Sequence, residues 1–246
     1  PVVALSDCVT KGTVRNYWGT WKDKRLWLYG AICGLFLGVA RMLQQWGLVE
    51  ASAGKGGFIT VLYIIGVPIF GMFVGRKTTL LLWFSVLMAV VGSYFLCAPN
   101  GLGGGIKFCD ILLILCAIVF SFHILAIDKF VVSVDAMRAS VIQSIVTGCF
   151  GFLVSFALGE SWALSSICAA MVSILYCAIC SSGIGYTCQF LGQRSVHPVA
   201  ASLIMSLESV FAALGGLLIL GEKLATKELM GCAIIFVAVI LAQIPT

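Results

Sequence analysis

Glu208 sits eleven residues into an apolar run that starts at Pro198 and reaches Ile219. An ionised carboxylate at that depth is costly in hydrocarbon, so it belongs either to a protein contact or to a watered path. Two chemistries suit it: exchanging a proton, or pairing with the amine of a solute. The structural alternative is a carboxylate hydrogen-bonded to a neighbouring helix. Its helical neighbours at three-, four- and seven-residue spacing are Ala201, Ile204, Met205, Phe211, Ala212 and Gly215. The small members of that set allow close helix contact or a cavity.

Other polar side chains recur at helical spacing. Ser182, Tyr186, Gln189 and Gln193 would form one polar face, on a helix interrupted by Gly183 and Gly185. In a membrane such a face points at protein or water. Ser202, Ser206 and Ser209 form a second stripe, of the kind that also serves helix packing. Arg41 shares a face with Gln44 and Gln45. It would either meet a solute carboxylate or snorkel to the membrane interface. Tyr63 and Thr60 share a face with Val67, beside Pro68, which frees a backbone carbonyl in a moving or kinked helix. His123 is a second candidate for proton coupling, with a hydrogen-bonded packing role as its alternative. His197, before Pro198, reads as a loop residue at a helix entrance. Gly30, Gly34 and Gly38 make overlapping GxxxG patterns that favour close helix packing.

The elements carrying these residues follow from composition. Of the 246 residues 61% are hydrophobic and 10% charged, against about 25% charged in a soluble domain. Lipid must therefore be most of the solvent. Eight runs approach the roughly 20 apolar residues of a spanning helix: 26–46, 57–75, 79–97, 108–127, 139–158, 166–189, 198–219 and 227–244. Breakers such as PNGLGGG at 99–105 separate them. With the first 25 residues inside, ten Lys and Arg fall on the inner side and four on the outer. That bias places both termini in the cytoplasm. The basic residues are scattered through short loops, so the net charge of +5 is no nucleic-acid signature.

The eleven cysteines are read as thiols rather than a disulfide framework, because Cys33, Cys116, Cys149, Cys177, Cys180 and Cys232 lie in apolar runs. The Cys177/Cys180 pair has no second pair or histidine cluster, so neither a metal nor a cofactor is expected. No signal peptide is expected in residues 1–25, and PVVAL at the start reads as the end of a hydrophobic helix whose beginning is missing. GLGGGIK at 101–107 is no P-loop, there is no GxSxG elbow, and HExxH and paired intramembrane aspartates are absent.

A weak internal repeat runs through the chain. Gln44, Gly47, an apolar helix, Gly75-Arg76-Lys77 and another apolar helix recur as Gln189, Gly192, a helix, Gly221-Glu222-Lys223 and a helix. The two turns fall on opposite sides of the membrane, the mark of an inverted repeat.

Several motifs in order resemble the EamA-like family of the drug/metabolite transporter superfamily. They are QxxGQRxxxPxxASL at 189–203, SLExVFAALGG at 206–216, LGEKL at 220–224, GFITVLYIIGVPIFG at 57–71 with GRK at 75–77, and CDILLILCAIVFSFHILAIDKF at 109–130. Ser209 departs from the proline that the family often places after this glutamate. The resemblance implies an all-α membrane fold of ten helices in two inverted five-helix repeats, of which this chain would hold the third to tenth. Residues 1–106 would be an incomplete first repeat and 107–246 the second. It also implies a secondary-active exporter or exchanger of small metabolites such as amino acids, in a bacterial inner membrane. Alternating access would centre on helices bearing Tyr63, Gln189 and Glu208. Expected partners are a small organic solute, a proton and membrane lipid, with a homodimer left open and no nucleic acid. A non-transporting remnant or partner subunit, and an intramembrane enzyme using Glu208 and His123, remain as alternatives.

Overall fold

The computed structural model describes residues 21–51, 53–98, 101, 107–160, 162–221 and 224–244. The first twenty residues, most of the PNGLGGG loop and the Glu222-Lys223 pair lie outside them. The regular structure among the described residues is all helical, without strands. The helices are α1 (Lys24–Glu50), α2 (Ala53–Val61), α3 (Tyr63–Phe73), α4 (Leu80–Cys97), α5 (Phe108–Phe130), α6 (Ala136–Ala157), α7 (Leu164–Ala169), α8 (Met171–Tyr176), α9 (Tyr186–Gln193), α10 (Pro198–Gly215) and α11 (Thr226–Ala242). Cys177–Gly185, between α8 and α9, and Gly216–Leu220, after α10, are π-wound.

Seven helical stretches are long and apolar enough to cross a membrane: Lys24–Glu50, Gly54–Phe73, Leu80–Cys97, Phe108–Phe130, Ala136–Ala157, Met171–Gln193 and Pro198–Ile219. The eighth expected span is α11, whose 17 residues sit at the short end of the spanning range of about 17–25. Large apolar side chains such as Phe73, Leu80, Phe156 and Leu218 are exposed, as a lipid solvent requires.

The ends of these helices follow capping rules. Asp135 opens α6 by accepting the Arg138 N–H at 2.9 Å, and Thr79 opens α4 by accepting that of Leu82. Pro198 occupies the first turn of α10, where its missing N–H costs nothing. His197 is a helix cap rather than a plain loop residue, its Nδ1 accepting the Val199 N–H. After α3, Gly75 takes φ +82° while Arg76 and Gly75 donate to the carbonyls of Gly71 and Met72. This is a Schellman stop, which requires a left-handed residue that glycine supplies without strain. Gly221 also ends its helix in the left-handed region, at φ +67°. The two turns matched in the sequence repeat thus both stop on a left-handed glycine.

The chain divides into two compact units, one formed by Pro1–Gly38 with Ala126–Ser195, the other by Val39–Leu125 with Val196–Thr246. In the first, Leu26, Cys33, Ile127, Ala139, Ile142 and Phe190 pack together. The glycine stripe of α1 lies against α6. A Cβ added at Gly30 would meet Ile142 at 2.8 Å, one at Gly34 the Gln143 carbonyl and Val146 at 2.8 Å, and one at Gly38 the Phe150 ring at 2.8 Å. Thr147 of α6 donates to the Gly34 carbonyl at 2.9 Å. The GxxxG pattern therefore serves packing within the chain. In the second unit α11 runs along α4, while α10 packs on α3, α4 and α11. Gly92 and Gly231 face one another where α4 meets α11.

Candidate functional site

Within the second unit, the sequence candidates of α1, α3 and α5 come together around a residue that the sequence did not single out, Phe120. Its ring is 8% exposed. The Tyr63 ring stands 6.2 Å away, the His123 ring 6.5 Å away, and the Arg41 guanidinium carbon lies 5.7 Å from its centroid. Tyr63 and His123 are buried, whereas Arg41 is exposed. Arg41 Nη1 donates to Gln44 Oε1 at 3.0 Å. Gln45, one turn from Arg41, is exposed. The interface reading of Arg41 does not fit this arrangement: the side chain folds onto the middle of α5 instead of reaching for a helix end. A helical side chain leans toward its own helix N-terminus, and here that direction leads away from the nearer end of α1.

The backbone at Tyr63, one turn and more ahead of Pro68, is tied to α5. The helix expected over 57–75 is broken at Leu62, whose carbonyl accepts from both Ile65 and Gly66. Ser121 of α5 donates to the Tyr63 carbonyl at 3.3 Å and to its own Ala117 carbonyl at 2.8 Å. Thr60 is buried and donates to the Gly56 carbonyl at 2.9 Å. Thr60 thus serves its own helix.

Glu208 is exposed on α10, and among the described residues it makes no hydrogen bond or ion pair. The structural reading of a carboxylate tied to a neighbouring helix does not describe this placement. On its flanks, Ser202 and Ser206 are fully buried and donate to the Val199 and Leu203 carbonyls at 2.7 and 2.6 Å. That part of the serine stripe serves helix packing. Ala201 is buried, while Ile204 and Phe211 are exposed.

In the first unit Tyr186, Gln189 and Gln193 lie on the regular α9. Ser182 lies in the π-wound Cys177–Gly185 stretch. The wider i→i+5 turn there shifts its position relative to α9, so the α-helical spacing argument fails for this residue. Gln193 is 4% exposed, and neither atom of its amide has a partner among the described residues. Gln189 Nε2 is buried likewise without one. Beside this face Ser140 and Thr187 share a hydrogen bond at 3.1 Å, a contact no spacing rule signalled.

Ion pairs add to these polar contacts. Lys55 Nζ lies 2.6 Å from Asp110 Oδ2 in the second unit, and Asp110 also accepts the Lys107 N–H at 2.8 Å. In the first unit, Arg138 Nη1 meets Asp135 Oδ2 at 2.9 Å and the guanidinium lies over Trp21. Arg138 is 1% exposed. The ten cysteines among the described residues are free. Cys33 and Cys116 pack as small hydrophobes, but Cys149, Cys177 and Cys180 are exposed instead of packed.

Comparison with known proteins agrees with this picture. A model of the EamA-like transporter family matches residues 107–243, more than half of the chain. A relative from Archaeoglobus fulgidus, described as an uncharacterized transporter, is 28% identical over 216 residues, covering 86% of this chain and 68% of the relative. A solved crystal structure of a protein superposes with a TM-score of 0.77 at 16% identity, covering 98% of this chain and 82% of that one. At that identity the likeness speaks for the fold alone.

Proposed function

The chain belongs to the EamA-like transporter family and is an integral membrane transporter, and we propose that it is a secondary-active exporter or exchanger of small organic metabolites such as amino acids. The observation that carries this reading is Glu208, exposed in the middle of an apolar spanning helix. A carboxylate is retained there at a cost of about 2.5–3.5 kcal/mol on insertion scales unless water or a counter-charge reaches it. Water reaching Glu208 is what a transport path provides, and Glu208 is its proton- or amine-binding group.

In this reading the eight apolar helices correspond to the third to tenth of a ten-helix inverted repeat, with residues 107–246 as the second repeat. Both termini are cytoplasmic, the membrane is a bacterial inner membrane, and access alternates between the two sides. The Tyr186/Gln189/Gln193 face supplies hydrogen-bonding groups to the path. A gradient of protons or of solute drives the cycle.

Counterflow tests this. The full-length protein is reconstituted in liposomes preloaded with unlabelled amino acids, and entry of the labelled compound is followed with and without a pH gradient. Saturable entry that depends on preloading is expected. Absence of counterflow in properly folded, inserted protein for every amino acid would overturn the reading and favour a non-transporting membrane protein.

A further inference from the structure

We propose that Arg41, with Gln44, is the group that recognises a carboxylate on the transported solute. The inference rests on the transport reading above and narrows its substrate class to carboxylate-bearing organic molecules.

Depth comes first. α5 has 23 residues, and Phe120 lies twelve residues past its start and ten before its end, so about 18 and 15 Å from the two ends at 1.5 Å per residue. The hydrocarbon core is about 30 Å thick. A guanidinium 5.7 Å from the Phe120 centroid is therefore held near the bilayer middle. Long cations near helix ends ordinarily snorkel outward, and Arg41 is aimed the other way.

The support is built for holding a cation in place. Phe120 is fixed between Tyr63 and His123 and offers its face to the guanidinium, a favourable cation–π arrangement. Gln44 Oε1 takes one Nη1 hydrogen, which orients the planar fork. Arg41 is nevertheless exposed, so the fork is both fixed and reachable.

The chemistry of the set then selects the ligand. Arginine contributes only donors, in a plane whose geometry matches a carboxylate in bidentate fashion. The adjacent Gln44 amide adds another donor. A cationic amine meets a like charge at the guanidinium, whereas a carboxylate finds a charge-assisted pair.

The test uses the full-length protein in liposomes with three labelled probes of similar size: L-serine, L-serine amide and ethanolamine. Wild-type protein should carry L-serine and discriminate against both probes that lack the carboxylate. The R41Q variant should raise KM for L-serine about a hundredfold, as expected for loss of a charge-assisted pair, and R41K should recover part of it. Equal transport of serine and serine amide by the wild type would overturn the inference while leaving transport intact. So would an R41Q variant that carries serine unchanged. Transport of none of the three would sink the transport reading for this solute class, and the inference with it. The serine-to-serine-amide comparison needs no variant, so a misfolded R41Q does not remove the test.

Discussion

Lys55 Nζ lies 2.6 Å from Asp110 Oδ2, joining the start of α2 to the start of α5, with the two side chains only 16% and 4% exposed. Asp110 stands in the first turn of α5, where the helix dipole also favours a negative charge. Glycines hold the neighbourhood tight: Gly56 faces Leu48 and Leu113, and Gly47 faces Leu113 and the Cys109 carbonyl. The pair is a fixed clasp at this end of the second unit.

Breaking one half of such a pair leaves a charge stranded, which typically costs about 3–5 kcal/mol. Lys55→Met alone should therefore destabilise strongly, while Lys55→Met combined with Asp110→Asn should lose clearly less than the sum of the single changes. Unfolding midpoints of the four proteins in mixed detergent micelles give the coupling directly. Additive losses would show that the pair contributes nothing as a pair.

Glycine packing makes a contrast within one helix pair. Gly34→Ala pushes a methyl into the Gln143 carbonyl and Val146, and overpacking of this kind costs about 1–3 kcal/mol. Gly148 lies in α6 with nothing within 4 Å of an added Cβ, so Gly148→Ala should be neutral or stabilising by up to about 1 kcal/mol, from helix propensity alone. Thermal midpoints of the purified variants separate the two. Equal effects would mean that α1 and α6 are not in the contact described.

These relationships mark where sequence reasoning reaches and where it stops. The spans were legible because lipid demands long apolar runs; α4 at Leu80–Cys97 and α5 at Phe108–Phe130 match their expected ranges to within three residues. The Gly30/Gly34/Gly38 stripe was legible because four-residue spacing by itself defines a face. Phe120 was not, since an aromatic residue in a run of apolar ones carries no mark until a neighbouring helix brings Arg41 to it. The direction of Arg41, left open between solute and interface by the sequence, needed that same neighbouring helix. Ser182 was misplaced because the spacing rule assumes α winding, and Cys177–Gly185 is π-wound around Gly183 and Gly185. Lys55 and Asp110 are 55 residues apart, so no local pattern could pair them.

The face of α9 can be tested by solvent access. In a cysteine-free background, Gln189→Cys should react with a membrane-impermeant thiol reagent if the face lines water. Phe152→Cys, which replaces a 63% exposed apolar side chain on α6, should resist it because lipid covers that position. The expected ratio of labelling rates is about tenfold or more, the signature of ionised, watered thiolate against a thiol in hydrocarbon. Equal rates would deny α9 a place on the path.

Glu208 gives the sharpest test, because the charge and the shape of its side chain can be separated. Glu208→Gln keeps the volume and the hydrogen-bonding capacity but cannot take up or release a proton. If Glu208 carries the coupling proton, the variant should still catalyse solute counterflow, which needs no net proton movement, while accumulation driven by a pH gradient falls about tenfold or more, equivalent to at least 1.4 kcal/mol of lost driving force. If Glu208 binds the solute amine instead, counterflow itself should fail for amines and persist for carboxylates lacking one. A variant that accumulates solute normally, with the wild-type dependence on pH, would remove Glu208 from both roles. It would leave its exposure in the middle of α10 to be met by a further helix.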